Sequence, residues 1–326
     1  DVFTPGLPDE RHVIAPPDGE PTGTAESGIS WWNGNCVGGA SNFMSGYFHR
    51  QKPVDFRLRS EFGPVEGADV RDWPIGYADL EPYYARVESA VGVSGRVTDH
   101  PAAEPRSTPD FPHPPTREHP LAGWIDDAAE AEDLHPFPVP RAILPAASGA
   151  RDGCSYSGYC GGYGCPTGAK GSSRAALLAR AEATGRCEVR PLSHVHRLAS
   201  DRRGRVTAAE YFHYPDREGR PRTVSARAFA VACQPVETAR LLLASPGPAH
   251  PHGLANGHGL VGRYLLFSAG GTGEGLLAYA DRDEAQSAAL AVQGPFVNRA
   301  VQDWYTLEDP ELGGRAQGGT VDFLLA

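Results

Sequence analysis

Several things are missing from this chain of 326 residues, and each absence removes a class of protein. No apolar run approaches the roughly 20 residues needed to cross a bilayer. Basic residues are outnumbered: 30 Lys and Arg against 40 Asp and Glu give a formal net charge of -10. That argues against a nucleic-acid partner, because phosphate binding needs a basic surface. The opening Asp-Val-Phe-Thr-Pro-Gly has neither the basic region nor the apolar core of a signal peptide. A cytoplasmic location is therefore the expectation, with export alongside a partner subunit as the alternative. The opening also lacks Met, which reads as a processed or partial product. No G-x-S-x-G and no H-E-x-x-H occurs, so hydrolases of those two kinds lack support.

A dinucleotide fingerprint is present only in letter. Gly257-His-Gly259-Leu-Val-Gly262 matches G-x-G-x-x-G, but a Pro/His/Gly loop precedes it. The fingerprint works only when a strand leads in and a helix begins within it, so that helix N–H groups meet a pyrophosphate. A plain turn is the better reading. His194-Val-His196 puts two imidazoles on one strand face. No third ligand lies nearby in sequence, so a structural or exposed pair is expected rather than a metal site.

What is present is a sequence able to build a core, with 40% hydrophobic residues, but rich in turns, with 39 Gly and 30 Pro. Residues 1–30 read as an extended loop. Residues 77–91 read as an amphipathic helix, with Leu80, Tyr84, Val87 and Val91 on one stripe and Gly92 as its stop. Residues 101–120 read as a Pro-rich loop and 121–133 as a second helix. Ser172 or Ser173 can cap a helix running to Gly185. Strands over 187–199 and Val206–Tyr214, divided by turns, read as a β-meander. Residues 227–233 read as a strand buried on both faces, feeding a helix over 236–244. Short strand-like runs return after 260, ending in Thr320-Val-Asp-Phe-Leu-Leu325.

Three of the six cysteines fall within twelve residues, in Cys154-Ser-Tyr-Ser-Gly-Tyr-Cys160-Gly-Gly-Tyr-Gly-Cys165-Pro166. The glycines let the backbone turn tightly around whatever the sulfurs hold. As a zinc site the group is one ligand short and lacks paired C-x-x-C spacing. As a disulfide with one free thiol it suits an exported protein. As an iron–sulfur site, three thiolates at short spacing suit a cluster with three protein-bound irons. The scattered Cys36, Cys187 and Cys233 read as free, buried thiols.

Four passages together resemble the glucose–methanol–choline (GMC) flavoprotein oxidoreductases, in the branch of the bacterial gluconate, fructose and related sugar dehydrogenases. They are Asn35-Cys36-Val37-Gly38-Gly39-Ala40-Ser41-Asn42, Asp72-Trp73-Pro74-Ile75-Gly76-Tyr77-Ala78-Asp79-Leu80-Glu81-Pro82-Tyr83-Tyr84, and the cysteine cluster running into Gly168-Ala169-Lys170. The fourth is Ala230-Val-Ala-Cys233-Gln-Pro-Val-Glu237-Thr238-Ala-Arg240-Leu241-Leu242-Leu243, with Gly259-Leu-Val-Gly262-Arg263 after it.

The resemblance implies a mixed α/β (α+β) chain: an incomplete, doubly wound FAD-binding domain with a sheet-based substrate domain. It divides the chain as follows. Residues 1–75 are FAD-domain with the flavin-contacting Gly-Gly turn, and 76–150 a helical part of the substrate domain. Residues 151–265 are the cysteine cluster with more FAD domain, and 266–326 the substrate-domain sheet. It implies FAD held by Gly38, Gly39 and Asn42, with Val195 near the adenine end. It implies oxidation of an alcohol or sugar CH–OH by hydride transfer to flavin, with a His as base. Cys154, Cys160 and Cys165 would hold a [3Fe-4S] cluster passing electrons to an accepting protein subunit.

Two family features fall outside these residues: the N-terminal G-x-G-x-x-G unit and the C-terminal region with the catalytic His. No catalytic base can therefore be named, and neither His49 nor the tyrosines substitute for one. Gln234 stands where the family often has a small residue. The competing expectation is a non-catalytic homologue serving as a subunit or scaffold in a complex.

Overall fold

The computed structural model describes residues 13–14, 20, 22–23, 34–214, 219–265, 270–275, 283–291, 294 and 296–324. Most of the loop expected over 1–30, and residues 31–33 and 325, lie outside them. The chain divides into two compact units, one made of Asp1–Cys187 with Ala278–Ala326, the other of Glu188–Leu277.

In the first unit the organising element is an irregular extended segment over 137–144, buried at every position. Its sequence explains its form. Prolines at 136, 138 and 140 cannot donate to a ladder, so the segment makes isolated bridges instead of a regular sheet. Phe137 and Ala300 exchange both backbone bonds, at 2.9 and 3.1 Å. Arg141 and Ser94 do the same, both at 2.8 Å. Ala142 N–H donates to Gly46 and Leu144 N–H to Ala169. Small apolar clusters collect along it: Val91, Val93 and Ala142; Phe137, Val139 and Ala300; Ile143, Leu144, Ala169 and Phe296.

Around this spine stand α1 (Leu58–Phe62), α2 (Tyr77–Val91), α3 (Leu121–Ala131) and α4 (Ala179–Ala183), the last led in by a π-helical stretch, Ser173–Leu178. The expected helices are there. The buried face of α2, however, is Tyr77, Glu81, Glu88 and Val91, while Val87 of the expected stripe is exposed. Apolar periodicity missed this because the two glutamates are drawn inward by arginines. Arg50 clamps Glu88 through two bonds of 2.7 and 2.8 Å and reaches Glu81 at 3.1 Å. Arg106 donates to Glu88 and, at 3.1 Å, to Glu104, which also takes Lys52. Three cations and three carboxylates thus compensate one another where an isolated buried charge would be prohibitive.

The strands of this unit are short and antiparallel: β1 (Val13–Ile14) with β2 (Thr22–Gly23), and, later in the chain, β6 (Arg299–Val301) with β9 (Val321–Phe323) and β7 (Thr306–Asp309) with β8 (Gly314–Gln317). Helix α6 (Glu284–Leu290) precedes them.

The second unit is the expected meander, β3 (Ser193–Ser200), β4 (Val206–His213) and β5 (Arg222–Ser225), all antiparallel, with α5 (Pro235–Leu243). Its core is Leu198, Ala209, Leu241 and Leu254. The strand expected over 227–233 does not form: these residues are irregular and mostly exposed. A strand exists only by pairing, and among the described residues nothing pairs with this one. Phe229 and Val231 instead cover the core cluster from one side. Gly257–Gly262 occupies turns, as its loop context required.

Candidate functional site

The Gly-Gly turn is built from its residue types. Gly38 has φ +97° and Gly39 φ +59°, a left-handed pair that glycine adopts at no steric cost. The Asn42 amide closes the turn, donating to the carbonyls of Val37 at 3.0 Å and Gly39 at 3.1 Å. Two serines then fasten it to the start of the 173–183 helical stretch. Ser41 Oγ donates to Gly38 O at 2.6 Å and accepts from Ser173 N–H at 3.1 Å, while Ser173 Oγ donates to Gly38 O at 3.0 Å. Ser172 is the N-cap, accepting from Ala175 N–H at 3.1 Å.

The two glycines differ in what surrounds them. A Cβ on Gly38 would meet the Asn42 amide at 2.7 Å and Arg174 at 2.8 Å. A Cβ on Gly39 would meet only Gly34 O, at 3.8 Å. Among the described residues the space next to Gly39 is therefore open where a Cβ would stand.

The cysteine loop sits beside this turn. Lys170, 2% exposed, holds the two together: its ammonium donates to Asn42 O at 3.3 Å and to the carbonyls of Cys160 and Tyr163, both at 2.9 Å. Gly162 N–H adds a bond to Phe43 O at 2.9 Å. Cys154, Cys160 and Cys165 all pack against the cluster of Ile143, Leu144, Ala169 and Phe296. Nearby cations serve no carboxylate. Arg151 donates to the carbonyls of Val91, Gly168 and Ala169. Buried Arg141 lies 4.4 Å from the Tyr47 ring and 4.1 Å from the Phe296 ring.

The three thiols are not equivalent. Burial pushes Cys154 and Cys160 up, against a partial pull from Lys170 and Arg141 on Cys160. Burial acts the same way on Cys165, but the Thr167 hydroxyl and the N–H groups of Lys170, Thr167 and Gly168 outweigh it and hold this thiol below its ordinary value. All three are free.

A cluster needs all its sulfurs as converging thiolates. Among the described residues no group of three His, Cys, Asp or Glu is arranged to hold a metal ion. Cys154, Cys160 and Cys165 share one neighbourhood, packed beside Ala169 and Phe296.

Gly38, Gly39 and Asn42 are brought together as expected. Val195 belongs to the other unit, on β3 beside the Leu198 cluster. His196 lies 4.0 Å from Glu210 and against the Phe212 ring. Gln234 takes φ +64° and caps α5 with its own side chain, accepting from Val236 N–H at 2.8 Å. Sequence reasoning missed Lys170 as the clamp and the arginine–glutamate network. For Lys170 the signal was a charged residue inside the small-residue run Gly168-Ala169-Lys170-Gly171-Ser172.

No protein-family model matches the chain. Compared with characterised proteins, it is 35% identical over 319 residues to the paromamine 6'-oxidase of Streptomyces fradiae, covering 96% of this chain and 55% of that protein. It is 36% identical over 299 residues to the 6'''-hydroxyparomomycin C oxidase of Streptomyces lividus, covering 91% and 52%. A weaker match, 27% over 259 residues, is the gluconate 2-dehydrogenase flavoprotein of Pantoea cypripedii, covering 72% and 41%. The chain spans about half the length of the curated relatives it matches.

Proposed function

We propose that this chain is part of an FAD-dependent oxidoreductase of the GMC type that oxidises a CH–OH group of a sugar or alcohol. The observation that carries the reading is the 35% identity to a named sugar-modifying oxidase along 96% of the chain. The flavoprotein named among the weaker matches supports the cofactor. FAD would lie on the open side of Gly39, with Gly38 and Asn42 fixing the turn beneath it. When bound, it would supply the hydride acceptor. The chain's own residues shape and stiffen that surface: Lys170, Ser41 and Ser173 hold the turn, and Lys170 ties the cysteine loop beside it. A doubly wound FAD domain, a cytoplasmic site of action and an electron-accepting subunit belong to this proposal as parts still to be tested.

The test is spectroscopic. The complete polypeptide should carry flavin absorbance that bleaches anaerobically on adding an oxidisable sugar or amino sugar. In Asn42→Ala the flavin should be held at least tenfold more weakly. A colourless protein that binds no added FAD would end the reading.

A further inference from the structure

Helix α2 is packed against its composition. An amphipathic helix turns its apolar stripe to the core and its charges to water. Here the inward face is given to Glu81 and Glu88, held by Arg50 and Arg106. The apolar stripe is left on the adjoining side. Leu80, Tyr83, Val87 and Ala90 follow one another at spacings of three, four and three residues, which sets them in one row along the helix. Leu80 and Ala90 are half-buried, while Tyr83 is 62% exposed and Val87 44%. Single exposed apolar side chains are ordinary, but a row of them on one rigid helix is an interaction surface.

The flank of this row carries two exposed charges, Asp79 and Arg86. Separated by seven residues, they stand two turns apart on the same side. Asp79 is fixed in place, because its carboxylate accepts from Gly76 N–H at 2.8 Å. Among the described residues no carboxylate pairs with Arg86.

The row and its flank are complementary to themselves. Two copies of α2 laid antiparallel about a two-fold axis near Tyr83 bring Leu80 of each against Val87 of the other, and the two tyrosine rings together. The same operation brings Asp79 of each copy within reach of Arg86 of the other. A parallel pair would set like charge against like, which is destabilising. Antiparallel helices also align their dipoles favourably. A surface that matches itself in reverse order suits an isologous contact, in which the same patch serves both copies.

We propose that the outward face of α2 is a two-fold interface through which this chain associates with a second copy of itself. A helix of this length spans about 22 Å. One such pair covers less than the roughly 800 Å² per partner of a standard stable complex. The association is therefore weak and reversible, with a Kd of about 10–100 µM. It needs no cofactor and stands apart from the flavin reading.

The experiment is sedimentation velocity on the full chain from about 1 to about 300 µM, a range that brackets this Kd. Cys36, Cys187 and Cys233, expected to be buried, are exposed free thiols, so reductant is kept present to exclude covalent dimers. A reversible rise from monomer to dimer is expected. Tyr83→Glu sets two carboxylates against each other at the axis and should weaken the dimer at least tenfold. Arg86→Glu should weaken it several-fold, and Asp79→Lys added to that variant should restore it. A chain that stays monomeric throughout, a dimer unmoved by Tyr83→Glu in a variant folded by circular dichroism, assembly that grows past the dimer, or a charge swap that folds and restores nothing would overturn the proposal. If the variants fail to fold, the wild-type series decides alone.

Discussion

Gly38 shows how one residue type can carry a piece of backbone. At φ +97°, with the Asn42 amide and Arg174 at 2.7 and 2.8 Å from where a Cβ would stand, it has neither the conformation nor the space for a side chain. Gly38→Ala should cost about 1–3 kcal/mol in urea unfolding. Gly39→Ala should cost less, since only its φ is unfavourable and the space is open. Cys165 is the residue-scale counterpart in chemistry. Its thiol is held below its ordinary value while Cys154 and Cys160 are pushed above theirs, so near pH 8 it carries the largest thiolate fraction of the three. Iodoacetamide labelling followed by peptide mapping should modify Cys165 several-fold faster than the other two. Equal rates would show that the hydrogen bonds to its sulfur do not form in solution. The spacing of these cysteines was legible in sequence, but their inequality was not, because it comes from Thr167 and three backbone N–H groups turned toward one sulfur.

At the level of elements, helix α2 shows where pattern reading succeeds and where it fails. Its limits were legible: Gly76 precedes it and Gly92 ends it at φ +80°, although Pro82 falls in its second turn and not in the first, where proline is best tolerated. The face it buries was not legible. A period of 3.6 residues finds apolar stripes, yet this helix turns two glutamates inward because Arg50 and Arg106 arrive from distant segments. Glu88→Leu strips both guanidinium groups of their shared carboxylate. It should cost about 3–5 kcal/mol in urea unfolding, with the slope unchanged. A change below about 1 kcal/mol would mean that the bonds the arginines already make to Glu81 and Glu104 suffice to hold them. The missing strand over 227–233 teaches the complementary point. Its apolar composition was read correctly, but a strand's existence depends on a neighbour that composition does not reveal.

For the whole molecule, the charge of -10 is the property most directly inherited from sequence. It predicts no retardation of duplex DNA by this chain even at low salt, where any phosphate-binding surface would be most evident. Among the described residues no helix is long and apolar enough to cross a membrane, in keeping with the absence of long apolar runs. The sequence by itself determined the helices, the meander, the Gly-Gly turn and the clustering of three cysteines, because propensity, capping and turn chemistry act over a few residues. Only the tertiary structure decided that Lys170 joins the cysteine loop to the turn across 128 positions, and that arginines from other segments turn Glu81 and Glu88 inward. It also decided that the three thiols share one neighbourhood. These are matters of direction and distance between remote segments, fixed when the core closes and not encoded in any local pattern.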